Sequence, residues 1–317
     1  PTMAACAALI AGQTGGVPAT AAQPGAPVAA RPQRRFTHLV PMHQGEGGPK
    51  APFFLVAGMF GNVLNLRHLA QLVGHDRPFY GLQARGLHGD DRPHQSFADA
   101  ARDYIAEVRQ VQPHGPYLIG GFSGGGLIAW EMARQLEEAG EVVSLLTLLD
   151  TPLPMRPALT RLDKALIKFA ELRARGPGYL VEWARARRDW KRQQGQTPAQ
   201  AGEGGFHNAA IEAAFRAALP GFTLARRAGA TLLFRPPLDL HWKVSGARWV
   251  SRAKEYVFAD NQLTPFAPQL EVIEVPGDHD SMVLEPNVRV MAARLKTAIA
   301  AAEGSAPRVI PMATAAA

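Results

Sequence analysis

The chain of 317 residues holds a single cysteine, Cys6. One thiol cannot build an internal disulfide framework or a cysteine-rich metal site. No His/Asp/Glu group shows ligand spacing either, so no metal is expected. Apolar runs stop well short of the roughly 18 residues that span a bilayer, and no membrane-crossing helix is expected. The amino terminus lacks the charged-then-apolar order of a secretory signal, which makes a reducing cytoplasm the expected location. Charged residues are sparse, at 19% against 47% hydrophobic. That balance excludes a disordered chain and leaves enough apolar material for a large core in one or two domains.

The basic excess is local. Eleven Lys/Arg against four Asp/Glu lie between Met155 and Gln200, which accounts for the whole net charge of +7. The remainder is balanced. This argues against a nucleic-acid binder and for one basic face.

Residues 13–34 are rich in Gly, Pro, Ala and Gln without apolar periodicity, and read as a flexible linker. Ahead of them, Pro1–Ile10 has the look of a short apolar helix, too short to be stable alone. The tail 303–317 is small and Ala-rich and is expected to be disordered. Between these, short apolar runs alternate with helical patterns. The runs are Phe53–Val56, Phe79–Leu82, Tyr117–Gly121, Val142–Leu149, Thr231–Phe234 and Leu270–Val275. Helical spacing covers Phe97–Gln112, about Gly124–Ala139 and Asn287–Ala301. Such alternation predicts a mostly parallel central sheet with helices on both faces. From about 152 to 228 the pattern is helical only, and is expected to form an inserted lid over the carboxyl edge of the sheet.

Gly121-Phe-Ser-Gly-Gly125 fits Gly-x-Ser-x-Gly between a strand and a helix, the context of a nucleophile elbow. The turn is so tight that side chains at the glycine positions would strike the neighbouring helix and strand. A glycine-rich strand–helix turn without chemistry would carry the same letters. A serine hydroxyl needs a base, and the base an orienting acid. Asp150 follows the run Val142–Leu149 and would point into the same crevice as Ser123. It could also be a turn former before Thr151-Pro152, and Asp239 and Asp260 are alternative acids. Three histidines follow Asp150: His207, His241 and His279. Only His279, in Pro276-Gly-Asp-His-Asp280, comes directly after a strand, so it is the candidate base. An oxyanion needs two N–H donors. Gly124 should supply one and the loop Ala57-Gly-Met-Phe-Gly61 the other, with Met59 the candidate. Met59 has a second reading as a plain core side chain.

These segments together resemble the type I thioesterase domain that terminates non-ribosomal peptide synthetases and polyketide synthases. Pro78-Phe-Tyr-Gly-Leu-Gln-Ala-Arg-Gly-Leu87, Gly115–Gly126, Leu148-Leu-Asp-Thr151 and Val275-Pro-Gly-Asp-His279 carry the resemblance, which covers roughly 36–302. It implies an α/β-hydrolase fold for 35–302, with the family's triad on Ser123, Asp150 and His279. It also implies release of an acyl chain from a phosphopantetheine carrier through an acyl-serine, by hydrolysis or cyclisation. No cofactor of its own is implied, the substrate being presented on the phosphopantetheine arm. One departure stands out: Ala57-Gly-Met-Phe-Gly61 replaces the His-Pro-x-Gly-Gly often found after the first core strand. Residues 1–12 are similar to the last helix of a carrier domain, which would make an upstream carrier in the same polypeptide the partner. Arg173, Arg175, Arg185, Arg187 and Arg188 on the lid would then steer that carrier, unless they only solvate a helix face. The rival readings are a stand-alone serine esterase or lipase with the same triad, and a non-catalytic binding module of the same fold.

Overall fold

The computed structural model describes residues 36–88, 91–176, 178, 185, 188 and 208–305. The expected carrier tail and linker, Arg187, His207 and the chain after 305 lie outside these residues.

In chain order the elements are β1 (Leu39–His43), β2 (Phe53–Val56), α1 (Arg67–Gly74), β3 (Phe79–Leu82), α2 (Phe97–Val111), β4 (Tyr117–Phe122) and α3 (Gly125–Glu138). Then come β5 (Val143–Leu149), α4 (Arg161–Arg175), α5 (Ala209–Ala218) and β6 (Thr231–Arg235). The short strands β7 (Trp242–Lys243), β8 (Trp249–Val250) and β9 (Tyr256–Val257) precede β10 (Leu270–Glu274) and α6 (Val288–Ser305).

Seven strands form one sheet in the order β1-β3-β2-β4-β5-β6-β10. All neighbours are parallel except β1, which runs antiparallel to β3 at the edge. The inner strands β2 and β4 are buried along their whole length, which is why they read as unbroken apolar runs. Alternate side chains feed two cores. Phe54, Val56, Ile119, Leu146 and Leu148 pack with α2 and α3. Phe53, Leu55, Leu118, Leu145 and Leu149 pack with α1 and α6 on the other face. Each large side chain so buried contributes about 1.5–3 kcal/mol. This is the α/β-hydrolase arrangement.

Two buried charges lock the periphery. Glu107 of α2 accepts from the N–H groups of Thr37, His38 and Leu39 at 2.7, 2.9 and 2.7 Å, and so pins the start of β1. Arg77, before β3, donates to both Glu303 oxygens at 2.6 and 3.0 Å. Glu303 stands inside α6, which runs to Ser305. The tail expected to be disordered from 303 is therefore helical for its first three residues, because Glu303 neutralises a buried guanidinium.

Within the inserted region, α4 starts at Thr160, whose Oγ1 accepts from Asp163 N at 3.1 Å. The helix rests on a second sheet, β7-β8-β9, that lies between β6 and β10 in sequence and that the sequence did not suggest. Ile167 packs there against Val244, Val250 and Tyr256. Asp163 is the hub of this joint. It accepts from Ser245 N at 3.0 Å, Ser245 Oγ at 2.6 Å and Arg248 Nη2 at 2.8 Å, and also from the Tyr256 hydroxyl. Helix α5 is capped by Asn208, whose Oδ1 accepts from Ala210 N and Ile211 N.

Candidate active site

Ser123 follows β4, Asp150 follows β5 and His279 follows β10, so all three stand at the carboxyl edge of the parallel sheet. Main-chain bonds between neighbouring strands set their spacing: Ser123 N donates to Leu149 O at 2.8 Å, and Asp150 N to Phe234 O at 2.7 Å. Ser123 and Asp150 both take left-handed backbone, with φ of 51° and 45°. Such backbone costs about 1–2 kcal/mol per residue, and the packed surroundings must hold it.

The elbow glycines are required by close approach. A β-carbon on Gly121 would collide with the main chain of Gly125 and Gly126. One on Gly125 would collide with the Ala57 carbonyl and stand 2.8 Å from Val56 O. The start of α3 is thus pressed onto the end of β2, which brings Ser123 beside the loop carrying Met59. Helix α3 begins at Gly125 without a side-chain cap, directly after Ser123, so its positive dipole end lies at the elbow, where Gly126 N donates to Ser123 O at 3.1 Å.

The three side chains form one hydrogen-bonded line. His279 Nδ1 donates to Asp150 Oδ2 at 2.7 Å, since a carboxylate only accepts. His279 Nε2 is 2.9 Å from Ser123 Oγ, as acceptor of the hydroxyl proton. Burial alone would lower the imidazole pKa. The hydrogen bond and charge of Asp150 outweigh it, and His279 is held above its ordinary value. The Phe122 ring stacks on the imidazole at 5.3 Å. The His279 loop is closed by Asp278 and Ser281, with Ser281 N on Asp278 Oδ1 at 2.8 Å and Asp278 N on Ser281 Oγ at 2.9 Å.

The other candidates lie elsewhere. Asp260 is engaged with its own loop, accepting from Gln262 N and Thr264 N. Asp239 accepts from Arg252 N at 2.7 Å. His241 meets Trp242 edge-on at 4.3 Å, while the imidazole at Ser123 Oγ is that of His279. Arg173, Arg175, Arg185 and Arg188 are exposed. Among the described residues two groups could offer ligands to a cation, His38/His94/Asp103 and His43/Glu46/His75. Neither contributes to the cavity at Ser123, and Arg85 already binds Asp103 at 3.2 Å.

That cavity measures about 490 Å³ and is lined by Met59, Phe60, Asn62, Asn65, Phe122 and His279. Helix α5 packs on two of the segments beside it. Ile211 lies against Gly61 of the Met59 loop, and Phe215 against Gly124, with its ring packed at 4.8 Å on Phe97, which in turn meets Phe222 at 5.1 Å. Sequence patterning did not single out these lid contacts, nor Asn261, whose Nδ2 reaches Asp150 Oδ1 at 3.2 Å. The only sequence signal for Asn261 is the turn-prone pair Asp260-Asn261.

The fold is that of the α/β-hydrolases, and its strand edge holds a serine, a histidine and an aspartate in one line. Residues 51–175 match the family model of the thioesterase domain. Over 150 residues the chain is 40% identical to indigoidine synthase of Dickeya dadantii, covering 47% of this chain and 10% of that protein. Over 119 residues it is 40% identical to the polyketide synthase PksR of Bacillus subtilis, covering 38% and 4%. The chain thus spans a tenth or less of these two relatives' length. Among solved structures, the NocB thioesterase domain in covalent complex with a fluorophosphonate nocardicin G analog superposes with a TM-score of 0.53. It is 24% identical and covers 79% of this chain and 95% of that one, a likeness of fold. Residues 51–175 thus resemble a thioesterase domain, and polyketide and nonribosomal peptide synthases are among the chain's relatives. No helix among the described residues is long and apolar enough to cross a membrane.

Proposed function

We propose that the domain releases an acyl chain from the phosphopantetheine arm of a carrier domain through an acyl-Ser123 intermediate. The observation that carries this reading is the unbroken line from Ser123 Oγ through His279 to Asp150. His279 Nε2 takes the hydroxyl proton as Ser123 Oγ adds to the thioester carbonyl. The tetrahedral oxyanion is held by the Met59 and Gly124 N–H groups, and the positive end of α3 favours the same charge. The C–S bond then breaks, His279 returns its proton to the leaving thiolate, and an ester on Ser123 remains. Water, or a hydroxyl or amine of the acyl chain, next gives its proton to His279 and attacks that ester. The C–O bond breaks and Ser123 regains its proton. The product is a free acid in the first case and a lactone or lactam in the second.

Asp150 keeps the imidazole in the tautomer that presents a bare Nε2 and stabilises the imidazolium. The reaction draws on no cofactor of the domain's own. The carrier would belong to the same polypeptide in the cytoplasm, and the exposed Arg173, Arg175, Arg185 and Arg188, with Arg187, would attract its acidic surface or the arm's phosphate. Charge reversal at Arg185 and Arg188 should slow carrier-dependent turnover at low salt. Unchanged turnover would remove the docking role.

The test of the whole reading is intact mass after mixing with a short acyl thioester. An acyl adduct or turnover with the native protein, absent in Ser123→Ala, is expected. Turnover surviving in Ser123→Ala would refute it, and preference for oxygen esters without a carrier would favour a stand-alone esterase.

A further inference from the structure

Asp150 has two carboxylate oxygens, and the triad uses one. Oδ2 accepts from His279 at 2.7 Å. Oδ1 accepts from Asn261 Nδ2 at 3.2 Å, and the same amide nitrogen reaches Thr151 O at 3.0 Å. A single carboxamide therefore holds both the side chain of the acid and the main chain that follows it. Asp150 sits in left-handed backbone at the tip of β5, where nothing in the strand ladder fixes the torsion of its carboxylate.

The loop carrying Asn261 is built to present it. Asn261 and Gln262 are both left-handed, with φ of 47° and 61°. Two consecutive residues other than glycine in that region are uncommon, and asparagine tolerates it better than most. Asp260 closes the turn through Gln262 N at 2.9 Å and Thr264 N at 3.2 Å, with the Thr264 hydroxyl on the same carboxylate. Two residues on, Leu263 is fully buried in the main core and plugs the loop into the domain. Upstream, the loop is continuous with β9 of the small sheet. An asparagine that merely formed a turn would bond its own neighbours. This one spans more than a hundred residues of sequence to reach the acid.

We propose that Asn261 is a positioning residue of the reaction, fixing the Asp150 carboxylate so that Oδ2 stays aimed at His279 Nδ1. This rests on the serine–histidine–aspartate reading above. Its physical content is orientation. A carboxylate held on one oxygen only can swing about its terminal torsion, which is broad. Loss of aim weakens the bond that keeps Nε2 bare and that stabilises the imidazolium.

The test uses two substitutions that accept left-handed backbone. Asn261→Gly removes the carboxamide without β-carbon strain. Asn261→Asp keeps the shape and turns a donor into a second carboxylate facing Asp150. The rate of Ser123 acylation by a short acyl thioester of N-acetylcysteamine is followed against pH, with active sites counted by a phosphonofluoridate and Tm recorded. Asn261→Gly should fold, lose about tenfold in kcat at the plateau, as outer partners of reactive groups typically do, and leave KM nearly unchanged. Its acidic limb should move to lower pH, since the imidazolium is less well held. In Asn261→Asp the limb should move the other way, because added negative charge favours the imidazolium. A purely structural role would lower Tm and the count of active sites, while each surviving site kept the native limb. An Asn261→Gly limb that coincides with the native one overturns the inference even if the plateau falls. Turnover persisting in Ser123→Ala would sink the triad reading and this inference together, and that control separates the two failures.

Discussion

Alanine at Gly125 is the sharpest probe of how the elbow is assembled. Helix propensity alone favours the change by up to about 1 kcal/mol. Contact geometry opposes it. The added β-carbon would stand 2.8 Å from Val56 O and 2.8 Å from Ala57 C, and closer still to the Ala57 oxygen. Ordinary C···O approach is about 3.3–3.6 Å, so at least half an ångström must be found against main-chain atoms that cannot rotate away. Either α3 retreats from β2 or the Met59 loop lifts. Overpacking of this kind costs about 1–3 kcal/mol, which outweighs the propensity gain over most of its range. At about 2–4 °C per kcal/mol for larger domains, the net loss in Tm reaches several degrees. Activity should suffer more, because the retreat separates Ser123 from the oxyanion donors, and a displacement near 1 Å costs about 10²-fold. Gly304→Ala is the control. It stands in α6, where an added β-carbon would meet nothing within 4 Å, so it reads helix propensity alone. Thermal unfolding and burst acylation of both variants decide the matter. Native Tm and native acylation in Gly125→Ala would refute the account of the elbow as a pressed contact.

Three further outcomes are expected. Activity and stability should respond to pH in opposite senses at His279. On the proposed mechanism the free imidazole is the base, so acylation rises with pH through the raised His279 value, while the stability drawn from the imidazolium–Asp150 pair is full below about 6.5 and is lost as pH rises through the raised folded-state value; stopped-flow acylation and pH-dependent unfolding report each. Asp150→Asn should lower kcat by about 10⁴ with the fold intact, because an amide no longer dictates the tautomer; a loss below tenfold in active-site-corrected rates would count against Asp150 as the orienting acid. The Ser245 hydroxyl, with Tyr256, holds the Asp163 carboxyl well below its usual range, so the stability it lends is present above the ordinary carboxylate pKa and fades as pH falls; Asp163→Asn should flatten that acid-side loss and speed amide hydrogen exchange in α4.

The legible parts of the chain were those where one physical demand dominates. β2, β4 and β5 stand in the interior of a parallel sheet, where strands read as near-continuous apolar runs, β5 interrupted by Ser144 and Thr147. The elbow could be read because only glycine tolerates its contacts, and the acid and the histidine could be placed because each follows a strand that ends at the same edge as Ser123. β1 escaped notice because Pro41 interrupts it, which an edge strand with a register shift allows. β7, β8 and β9 have two residues each, too few for any period to emerge. Asn261, Ile211 and Phe215 act through distant contacts, and spacing along a chain carries no record of what an isolated side chain meets across the fold.

Ile211 and Phe215 come from one helix, yet they rest on the two separate segments expected to bind the oxyanion, the Met59 loop through Gly61 and the elbow through Gly124. The distance between the two donors is therefore tied to the seat of α5. A chain that shifts α5 as it enters also alters the cradle for its own negative charge. By reciprocity, an α5 position that suits the tetrahedral intermediate favours the cargo that stabilises this position. Selection among acyl chains can then operate in kcat as well as in binding, with the lid acting as a gauge of what lies beneath it.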